Sequence, residues 1–524
     1  MSRVTSFHKV SGPLTIPRAE VLVERLTKAL VELKDEQDLH SSEGSTGVKH
    51  DSKTWAGWDW PQGVALTVLY QHYLLDPSSK GSQLSLKTAV EWFEAQWELT
   101  SGSGAPKHVN SMAAMYCLAS LLQDGKIEDT DGKWIKWCTE WAEWIMNDMP
   151  RTVDGGFQHI VHDKENKDQL WDDTLFMAVL PLTRIGLLLD RTEYIQEAAY
   201  QLVLHMKYLS DPYTGLWTHG WQFQGESGGH HFAKSFWARG NAWVVYGIPL
   251  FLEIAGDVLP EDDPARRMVV NEYKRLVNAL APLQDTRTGL WHTLLDDRTT
   301  YLETSASAGI AAGIFAGVRL GVLSARKYLP MANAALVGVT GKILPNGEVD
   351  GVSSVTPMGE DFTHYREIPI TPMPYGQALV MAALVEWERL YALDEAPHKH
   401  SSTIPGSPVS PVTPTSPVSP VSPVSPISPT SPTAPPILRQ YTAPLDLPGR
   451  YPTEHEIRER EEAERRSREP TATAESPAEP VMDHTLSTQF GRTVAVIEPG
   501  GNEDSVPGGS ILAQVENARN QETQ

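Results

Sequence analysis

The segment DPYTGLWTHGW (residues 211–221) is echoed by DTRTGLWHTLL (residues 285–295) and more loosely by DGGFQHI (residues 154–160). Each copy has a glycine, then one or two large residues and a histidine, and each lies next to a long predicted helix. Self-similarity of this kind is typical of repeated helical hairpins. About six hairpins closed into a ring would account for the predicted helices, so we predict an all-α fold, an (α/α)6 barrel.

The helices themselves are predicted from apolar residues that recur at three- and four-residue spacing, the helix period. No convincing strand ladder is found in the sequence. The predicted helices cover residues 18–34, 60–75, 84–99, 110–124, 132–149, 175–189, 195–209, 238–255, 265–281, 305–320, 324–339 and 376–391.

Composition divides the 524-residue chain near residue 396. Residues 1–396 are predicted to form one globular domain, and residues 397–524 a disordered Ser/Pro-rich and charged tail. From residue 401 the sequence runs SSTIPGSPVSPVTPTSPVSP, where the prolines remove backbone donors and prevent helix or central strand. The charged run at 454–469 could form an isolated helix, and the polar remainder cannot build a core. The SPVSP units have the spacing of PxxP ligands, so the tail could bind a partner.

The net charge of −22, from 66 acidic and 44 basic residues, argues against nucleic acid or an anionic membrane as the main partner. Cys117 and Cys138 fall inside predicted helices and are expected to be small buried side chains. We find no apolar run typical of a signal peptide or a membrane span, and predict a cytoplasmic protein. Phosphate-binding glycine motifs and clustered metal-ligand motifs are also missing, so no cofactor and no metal are predicted.

The segment LWDDTLFM (residues 170–177) places two carboxylates, Asp172 and Asp173, in front of an apolar helical run. An aspartate at this position often caps the helix by accepting hydrogen bonds from first-turn amides. The motif by itself leaves capping and a catalytic role both open.

Sixteen tryptophans are many for a chain of this size. Helical spacing predicts a core position for the group Trp134, Trp137, Trp141 and Trp144. Tryptophans beside glycine-rich loops, among them Trp60, Trp237 and Trp243, are expected to offer exposed ring faces that suit the apolar faces of sugars.

The chain resembles the unsaturated rhamnogalacturonyl hydrolases of glycoside hydrolase family 105 over roughly residues 55–391. The resemblance is carried, in the family's order, by LWDDTLFMAVLPLTRIGLLL, TGLWTHGW, HFAKSFWARGNAW, GLWHTLLDDRTTYLETSASAGIAAGI and YREIPITPMPYGQAL. Unsaturated glucuronyl hydrolases of family 88 share the WARG and aspartate motifs. The resemblance implies a hydrolase that releases a 4,5-unsaturated galacturonyl residue from the non-reducing end of lyase-generated pectin or rhamnogalacturonan oligosaccharides.

The implied reaction protonates carbon 4 of the enol ether, adds water at carbon 5 and releases the partner sugar when the hemiketal collapses. One carboxyl that acts first as acid and then as base is sufficient. Asp173 aligns with the family's catalytic aspartate, and as a general acid it needs a raised pKa. Asp172 stands where relatives often have Val or Ile, and we assign it a minor role through charge repulsion.

The resemblance also implies a set of binding residues. Arg239 matches an arginine that grips the substrate carboxylate through two parallel bonds. Asn110 stands where the family has a second aspartate; its amide can bind a hydroxyl or orient Asp173 but cannot supply negative charge. The remaining matches are stacking tryptophans at Trp237, Trp243 and Trp60, histidines for hydroxyls or water at His219 and His159, and further rim positions at His230, His231, Tyr365 and Arg366.

Two other functions are compatible with the sequence. An inverting (α/α)6 glycosidase acting on saturated glycans would need a second carboxylate across the cleft. Candidates for that carboxylate are Glu226, Asp296, Asp297 and Glu303. In the other alternative the barrel is not catalytic and the protein is a scaffold that acts through its Pro-rich tail.

Overall fold

The computed structural model describes residues 14–36, 39–43, 49–225 and 228–395. All of these residues belong to one unit, Met1–Val409. The predicted tail at 397–524, its charged run at 454–469 and Glu226 lie outside the described residues. The domain boundary at residue 396 therefore stays a prediction.

Thirteen α-helices are present within the described ranges. They are α1 (Ile16–Glu32), α2 (Trp60–Tyr73), α3 (Lys80–Leu99), α4 (Met115–Gln123), α5 (Lys133–Glu143), α6 (Leu180–Leu188), α7 (Thr192–Leu209), α8 (Ala238–Ile254), α9 (Pro264–Leu280), α10 (Thr304–Arg319), α11 (Ala325–Thr340), α12 (Phe362–Arg366) and α13 (Pro374–Glu395). Short turns extend some of them: 3-10 turns at Ser111–Ala114 before α4 and Ala281–Leu283 after α9, and π-helical turns at Trp144–Asp148 after α5 and Leu175–Val179 before α6.

Six of these helices form an inner ring. The ring consists of α2, α4, α6, α8, α10 and α13. Each of these helices packs against the next, and α13 closes the ring against α2. The inner helices are buried on nearly every side: all 14 residues of α2 are buried, and in α8 only Glu253 is not. A helix that is apolar all round belongs in the interior of a protein.

The other long helices form an outer layer. Each packs on its neighbour in a hairpin, α3 on α2, α5 on α4, α7 on α6, α9 on α8 and α11 on α10, while α1 packs on α13. Their buried residues form one stripe, as in α9 with Val269, Tyr273, Leu276 and Leu280. The predicted all-α (α/α)6 barrel is confirmed, and each predicted helix is present with ends shifted by a few residues. None of the described helices is both long and apolar enough to cross a bilayer.

Because each inner helix is followed by an outer helix that runs back, the inner helices are parallel and their N termini lie at one end of the barrel. The positive end of each helix dipole therefore points to that end, a setting that favours negatively charged groups. The residues at or just before these N termini are Asp59, Asn110, Thr174, Trp237, Glu303 and Pro374.

The loops at this end also form short strands, so the expectation of no strand ladder was wrong. Three antiparallel sheets pair β1 (Ser41–Glu43) with β2 (Lys49–Asp51), β3 (Gln169–Trp171) with β4 (Gly220–Phe223) and β5 (Gly229–His230), and β6 (Trp291–His292) with β7 (Leu302–Glu303). Strands of two to four residues are too short for an alternating pattern to show in the sequence.

The core placements follow the sequence. Cys117 and Cys138 are free and buried. Of the four predicted core tryptophans, Trp134, Trp137 and Trp141 are each at most 2 % exposed, whereas Trp144 is half-buried and packs against the edge of the core. A second small apolar cluster, Trp237, Leu294, Tyr365 and Ile368, lies apart from the main core. It packs part of the strap, the name we use for residues 351–373 between α11 and α13.

Close packing of the inner ring can be tested at Gly313 of α10. A Cβ there would lie 2.3 Å from the carbonyl oxygen of Val245 on α8, so Gly313→Ala must push two inner helices apart. We expect it to lower the free energy of unfolding by about 1–3 kcal/mol in urea titrations.

The matched control is Gly247→Ala on α8, whose new Cβ would meet Phe176 at an ordinary 3.6 Å. That variant should be neutral or more stable, because alanine is the better helix former. Equal destabilisation by both substitutions would contradict the packing argument.

Candidate active site

Strands β3 and β4 bring two distant motifs together. In their antiparallel register Trp171 pairs with Gly220, and the backbone N–H of Asp172 donates to the carbonyl of His219 at 3.0 Å. Asp173 comes next, at the turn that leads into α6. The pairing therefore sets both aspartates beside the histidine of the THGW motif.

Asp173 faces His219 directly. Asp173 Oδ2 lies 3.2 Å from His219 Nε2, and the Asp173 side chain keeps 14 % of its surface exposed, whereas that of His219 keeps 1 %. Burial raises the pKa of Asp173, but the facing imidazole of His219, with His159 behind it, lowers the pKa below its usual range overall.

The other ring nitrogen of His219 contacts the strap. Its Nδ1 lies 2.7 Å from the Tyr365 hydroxyl, and that hydroxyl accepts the backbone N–H of Gly359 at 3.1 Å. The hydroxyl proton has two acceptors in reach, Nδ1 and the weaker Met358 Sδ at 3.8 Å. When it goes to Nδ1, the ring hydrogen sits on Nε2 and points at Asp173. Tyr365 therefore orients His219 toward the carboxylate.

His159 lies on the other side of the same group. Its ring stacks on Trp171 at 4.2 Å with an angle of 8°, and its Nδ1 lies 2.8 Å from the Thr174 hydroxyl. Burial lowers the pKa of His159 to about 3, so the ring is neutral. His159 thus holds the turn that carries Asp173.

Asp172 is the interior member of the pair, and one of its oxygens lies within 4.8 Å of a carboxylate oxygen of Asp173 and of a ring nitrogen of His219. It is fully buried, and neither carboxylate oxygen has a hydrogen-bond partner. Capping does not account for either aspartate, because the N-cap residue of the π-helical turn Leu175–Val179 is Thr174 and that turn has no side-chain cap. Burial, and then the charge on Asp173, raises the pKa of Asp172 well above its usual range.

Arg239 is fully buried, and both of its terminal nitrogens donate to groups of the strap. Nη1 donates to the Ser353 carbonyl at 3.0 Å, and Nη2 donates to the Ser354 carbonyl at 2.9 Å and the Thr356 hydroxyl at 2.7 Å. Nη1 also lies 3.5 Å from the buried carboxylate of Glu303. Only Nε has no partner. In this arrangement Arg239 fastens the strap, and the predicted two-bond grip on a substrate carboxylate would have to displace these contacts.

The expected exposed faces of Trp60, Trp237 and Trp243 are not seen. The three residues are 6 %, 1 % and 0 % exposed. Trp60 stacks on Tyr375 at 4.5 Å and meets the edge of Trp243 at 5.8 Å, and Trp237 has the Arg239 guanidinium 4.6 Å over its ring. A sequence position beside a loop cannot show whether a tryptophan ring is exposed. Here the strap, a distant segment of the chain, folds over this end of the barrel.

Asn110 lies just before the 3-10 turn that leads into α4, and its side chain does not cap that turn.

The second carboxylate required by the inverting mechanism is not found among the described candidates. Glu303 is fully buried and accepts hydrogen bonds from Ser305 and from Ser353 N. Asp297 pairs with Arg366, and Asp296 is exposed beside it. Asp297 and Asp296 belong to a loop on the outer rim.

Reasoning from the sequence gives too little weight to two residues, Asp59 and Tyr365. Asp59, which caps α2, is buried, and burial raises its pKa to about 8. It lies 3.3 Å from His50. Its signal was an aspartate before Trp60-Pro61, a proline-led helix start. Tyr365 had no local signal, because its partner His219 is 146 positions away.

Within the described part of the chain, one group has the spacing of a metal site: Asp172, Asp173 and His219 each offer an atom within 4.8 Å of the others. A metal ligand must be deprotonated, and the burial of Asp172 opposes its ionisation. The arrangement suits a proton better than a metal ion, and the prediction of no metal stays a prediction.

Comparison with known proteins identifies the family. Residues 34–391 match the model of Glycosyl Hydrolase Family 88. The chain belongs to that family. The enzyme is therefore a glycoside hydrolase, as the sequence predicted.

Family 88 membership fits the resemblance found in the sequence. The chain is 30 % identical over 332 residues to the unsaturated rhamnogalacturonyl hydrolase YesR of Bacillus subtilis, covering 63 % of this chain and 89 % of YesR. A possible family 105 member from Salmonella enterica serovar Paratyphi A is 42 % identical with a TM-score of 0.67, covering 72 % of this chain and 96 % of that one. Another from Klebsiella pneumoniae is 40 % identical with a TM-score of 0.67, covering 72 % and 95 %.

The role of Arg239 as a strap fastener leads to a prediction for Arg239→Ala. Removing one partner of a buried ion pair leaves the Glu303 carboxylate without its cation and takes a hydrogen bond from each of two strap carbonyls, so we expect a loss of about 3–5 kcal/mol in the free energy of unfolding. Denaturant titration of the variant measures this loss directly.

Arg366→Ala is the control, because Arg366 is 52 % exposed in its pair with Asp297 and such pairs contribute less than about 1 kcal/mol. If Arg239→Ala raised only KM and left the stability unchanged, the guanidinium would be a substrate ligand and not a structural tie.

Proposed function

We propose that this enzyme releases a 4,5-unsaturated galacturonyl residue from the non-reducing end of oligosaccharides produced by pectin or rhamnogalacturonan lyases. Two observations support the substrate class: the family 88 match over residues 34–391 and the likeness to YesR, which is named an unsaturated rhamnogalacturonyl hydrolase.

The observation that carries the reaction is the asymmetry around Asp173. Its carboxyl keeps 14 % exposure at the N-terminal end of the inner ring, held against His219. The described alternatives, Glu303 and Asp297, are bound by protein groups. Ordinary glycosidases need two free carboxylates that flank the scissile bond, whereas hydration of an enol ether needs one acid that later acts as base.

In the proposed mechanism Asp173 delivers a proton to carbon 4 of the sugar. The π electrons of the C4–C5 double bond form the new C–H bond, and positive charge is shared by carbon 5 and the ring oxygen. Water then bonds to carbon 5 and gives its proton to the Asp173 carboxylate. The hemiketal opens, and the partner sugar leaves from carbon 1.

An anionic sugar fits the electrostatics of this end of the barrel. The N termini of the six inner helices converge there, and their dipoles stabilise negative charge. Buried polar atoms without partners are rare in proteins and call for an explanation. Several are found in this region, on Asp172, Trp237 Nε1, Trp243 Nε1 and Arg239 Nε. Direct contacts of the substrate with Arg239, Trp237, Trp243, Trp60, His219, His159 and Asn110 remain part of the proposal.

Asp173→Asn should remove the general acid. We expect kcat on an unsaturated galacturonyl-rhamnose disaccharide to fall by about 100- to 10,000-fold, the usual contribution of a general acid or base, with an unchanged melting temperature. Loss of the ultraviolet absorbance of the conjugated enol acid measures the rate.

Asp163→Asn is the matched control, because that carboxylate is 54 % exposed and should leave kcat unaltered. The saturated disaccharide should not be cleaved by any of these proteins. Cleavage of the saturated sugar with no turnover of the lyase product would favour the inverting glycosidase instead.

Deleting residues 397–524 separates the enzyme from the scaffold alternative. Since every proposed site residue lies before residue 396, the truncated enzyme should keep its full kcat/KM on the unsaturated disaccharide. A truncated chain that stays folded but loses its turnover would show that the tail takes part in the activity.

A further inference from the structure

Asp172 is a buried acid that the proposed mechanism does not yet use. Neither of its oxygens has a partner, and α8 closes over it: a Cβ on Gly240 would lie 2.2 Å from Asp172 Oδ2. That approach is possible only because residue 240 has no side chain. The fold therefore encloses this carboxyl tightly, and no cation among the described residues pairs with it.

An ionised carboxylate without partners in such a place is costly, and a buried group of this kind takes up a proton instead. A buried carboxylic acid in turn needs an acceptor for its O–H. The adjacent acceptor is the Asp173 carboxylate, because the ligand atoms of Asp172, Asp173 and His219 all lie within 4.8 Å of one another. Two neighbouring carboxyl groups with one proton between them titrate as a unit.

We propose that Asp172 is a positioning residue that holds the catalytic proton in the resting enzyme and passes it through Asp173 to the substrate. This inference rests on the proposed function of Asp173. It also resolves a difficulty in the site, because the His219 contact favours the ionised form of Asp173, whereas a general acid must hold a proton.

The proton transfer balances without any further reactant. The Asp172 O–H bond breaks as its proton moves to the Asp173 carboxylate, and Asp173 passes a proton to carbon 4. The pair then carries two negative charges, of which the one on Asp173 faces the oxocarbenium ion, and both stabilise it. When water adds to carbon 5, its proton goes to Asp173 and back to Asp172, and the resting state is restored.

The surroundings of the pair contain few groups that could perturb this titration. His219 contacts Asp173, and His159, a neutral ring, contacts Thr174 next to Asp173. Tyr365, on the strap, interacts electrostatically with both carboxylates. Helix α8 contributes the backbone at Gly240. Neither His219 nor His159 contacts an oxygen of Asp172, so the proton on Asp172 has Asp173 as its route to the substrate.

The decisive experiment compares pH profiles of kcat for the wild-type enzyme and Asp172→Asn. Without the shared proton, Asp173 is protonated only at lower pH, so the basic limb should move down by about two pH units. At neutral pH this corresponds to about a 100-fold loss, since each unit is a tenfold change in the protonated fraction. The loss should shrink toward acidic pH. A residue that only supports the structure would lower kcat by one factor at all pH values, and an unmoved limb overturns the proposal.

A second measurement does not depend on turnover. The infrared spectrum of the wild-type protein at pH 7 should contain carbonyl bands of several buried carboxylic acids, because burial also raises the pKa of Asp59 and of Glu388 to about 8. Asp172→Asn should remove one of these bands, whereas Asp163→Asn should retain them all. In the folded protein the raised pKa of Asp172 keeps a proton on its carboxyl, whereas the unfolded chain loses that proton above about pH 4. Stability should therefore fall with rising pH more steeply in the wild type than in Asp172→Asn. If the wild-type spectrum lacks the Asp172 band, the inference is overturned, and this result does not depend on how well the Asp172→Asn variant folds.

A metal arm completes the test. Chelator treatment and added Mg²⁺ or Mn²⁺ should leave kcat unchanged; a rate that depends on the ion would assign Asp172 to a metal and overturn proton sharing. Inactivity of the wild-type enzyme on the lyase product would defeat the proposed function, whereas turnover with an unmoved basic limb would defeat only the role of Asp172.

Discussion

The pairing of two three- to four-residue strands, β3 and β4, is the constraint on which the site depends. It places the backbone of Asp172 against that of His219, so Asp173 and the histidine meet although 46 positions separate Asp173 from His219 in the chain. Backbone hydrogen bonds hold this register, and a slip of one residue would turn the side chains to the opposite face. The same register decides which aspartate reaches solvent and which one points into the protein.

The strap supports this arrangement from above. Arg239 binds its first residues, Ser353 and Ser354, and the Arg239 charge is balanced by buried Glu303. Further along the strap, Tyr365 bonds His219. A buried ion pair adds little net stability by itself, but here it fixes where a loop crosses the barrel mouth. The proposed site therefore consists of a partly exposed carboxyl, a histidine that faces it and a loop that is held by an arginine.

Much of the fold follows from local pattern. Helical periodicity locates every long helix, and turn residues separate them, so the hairpins and their ring can be inferred. The short strands, the strap helix α12 and the π-helical turn before α6 escape this reasoning, because they contain too few residues for a period. Burial of Trp60, Trp237 and Trp243 was also missed, since exposure at a helix end depends on what folds over it.

The sequence by itself determined the barrel and its family resemblance, and it predicted Asp173 as the acid with a minor role for Asp172, because these inferences depend on residue types and their spacing along the chain. Only the tertiary structure decided the surroundings of each aspartate. Asp173 contacts a histidine and solvent, whereas Asp172 is sealed beneath Gly240. The protonation of a carboxyl is set by burial and by groups brought from distant parts of the chain, and no local pattern records those neighbours.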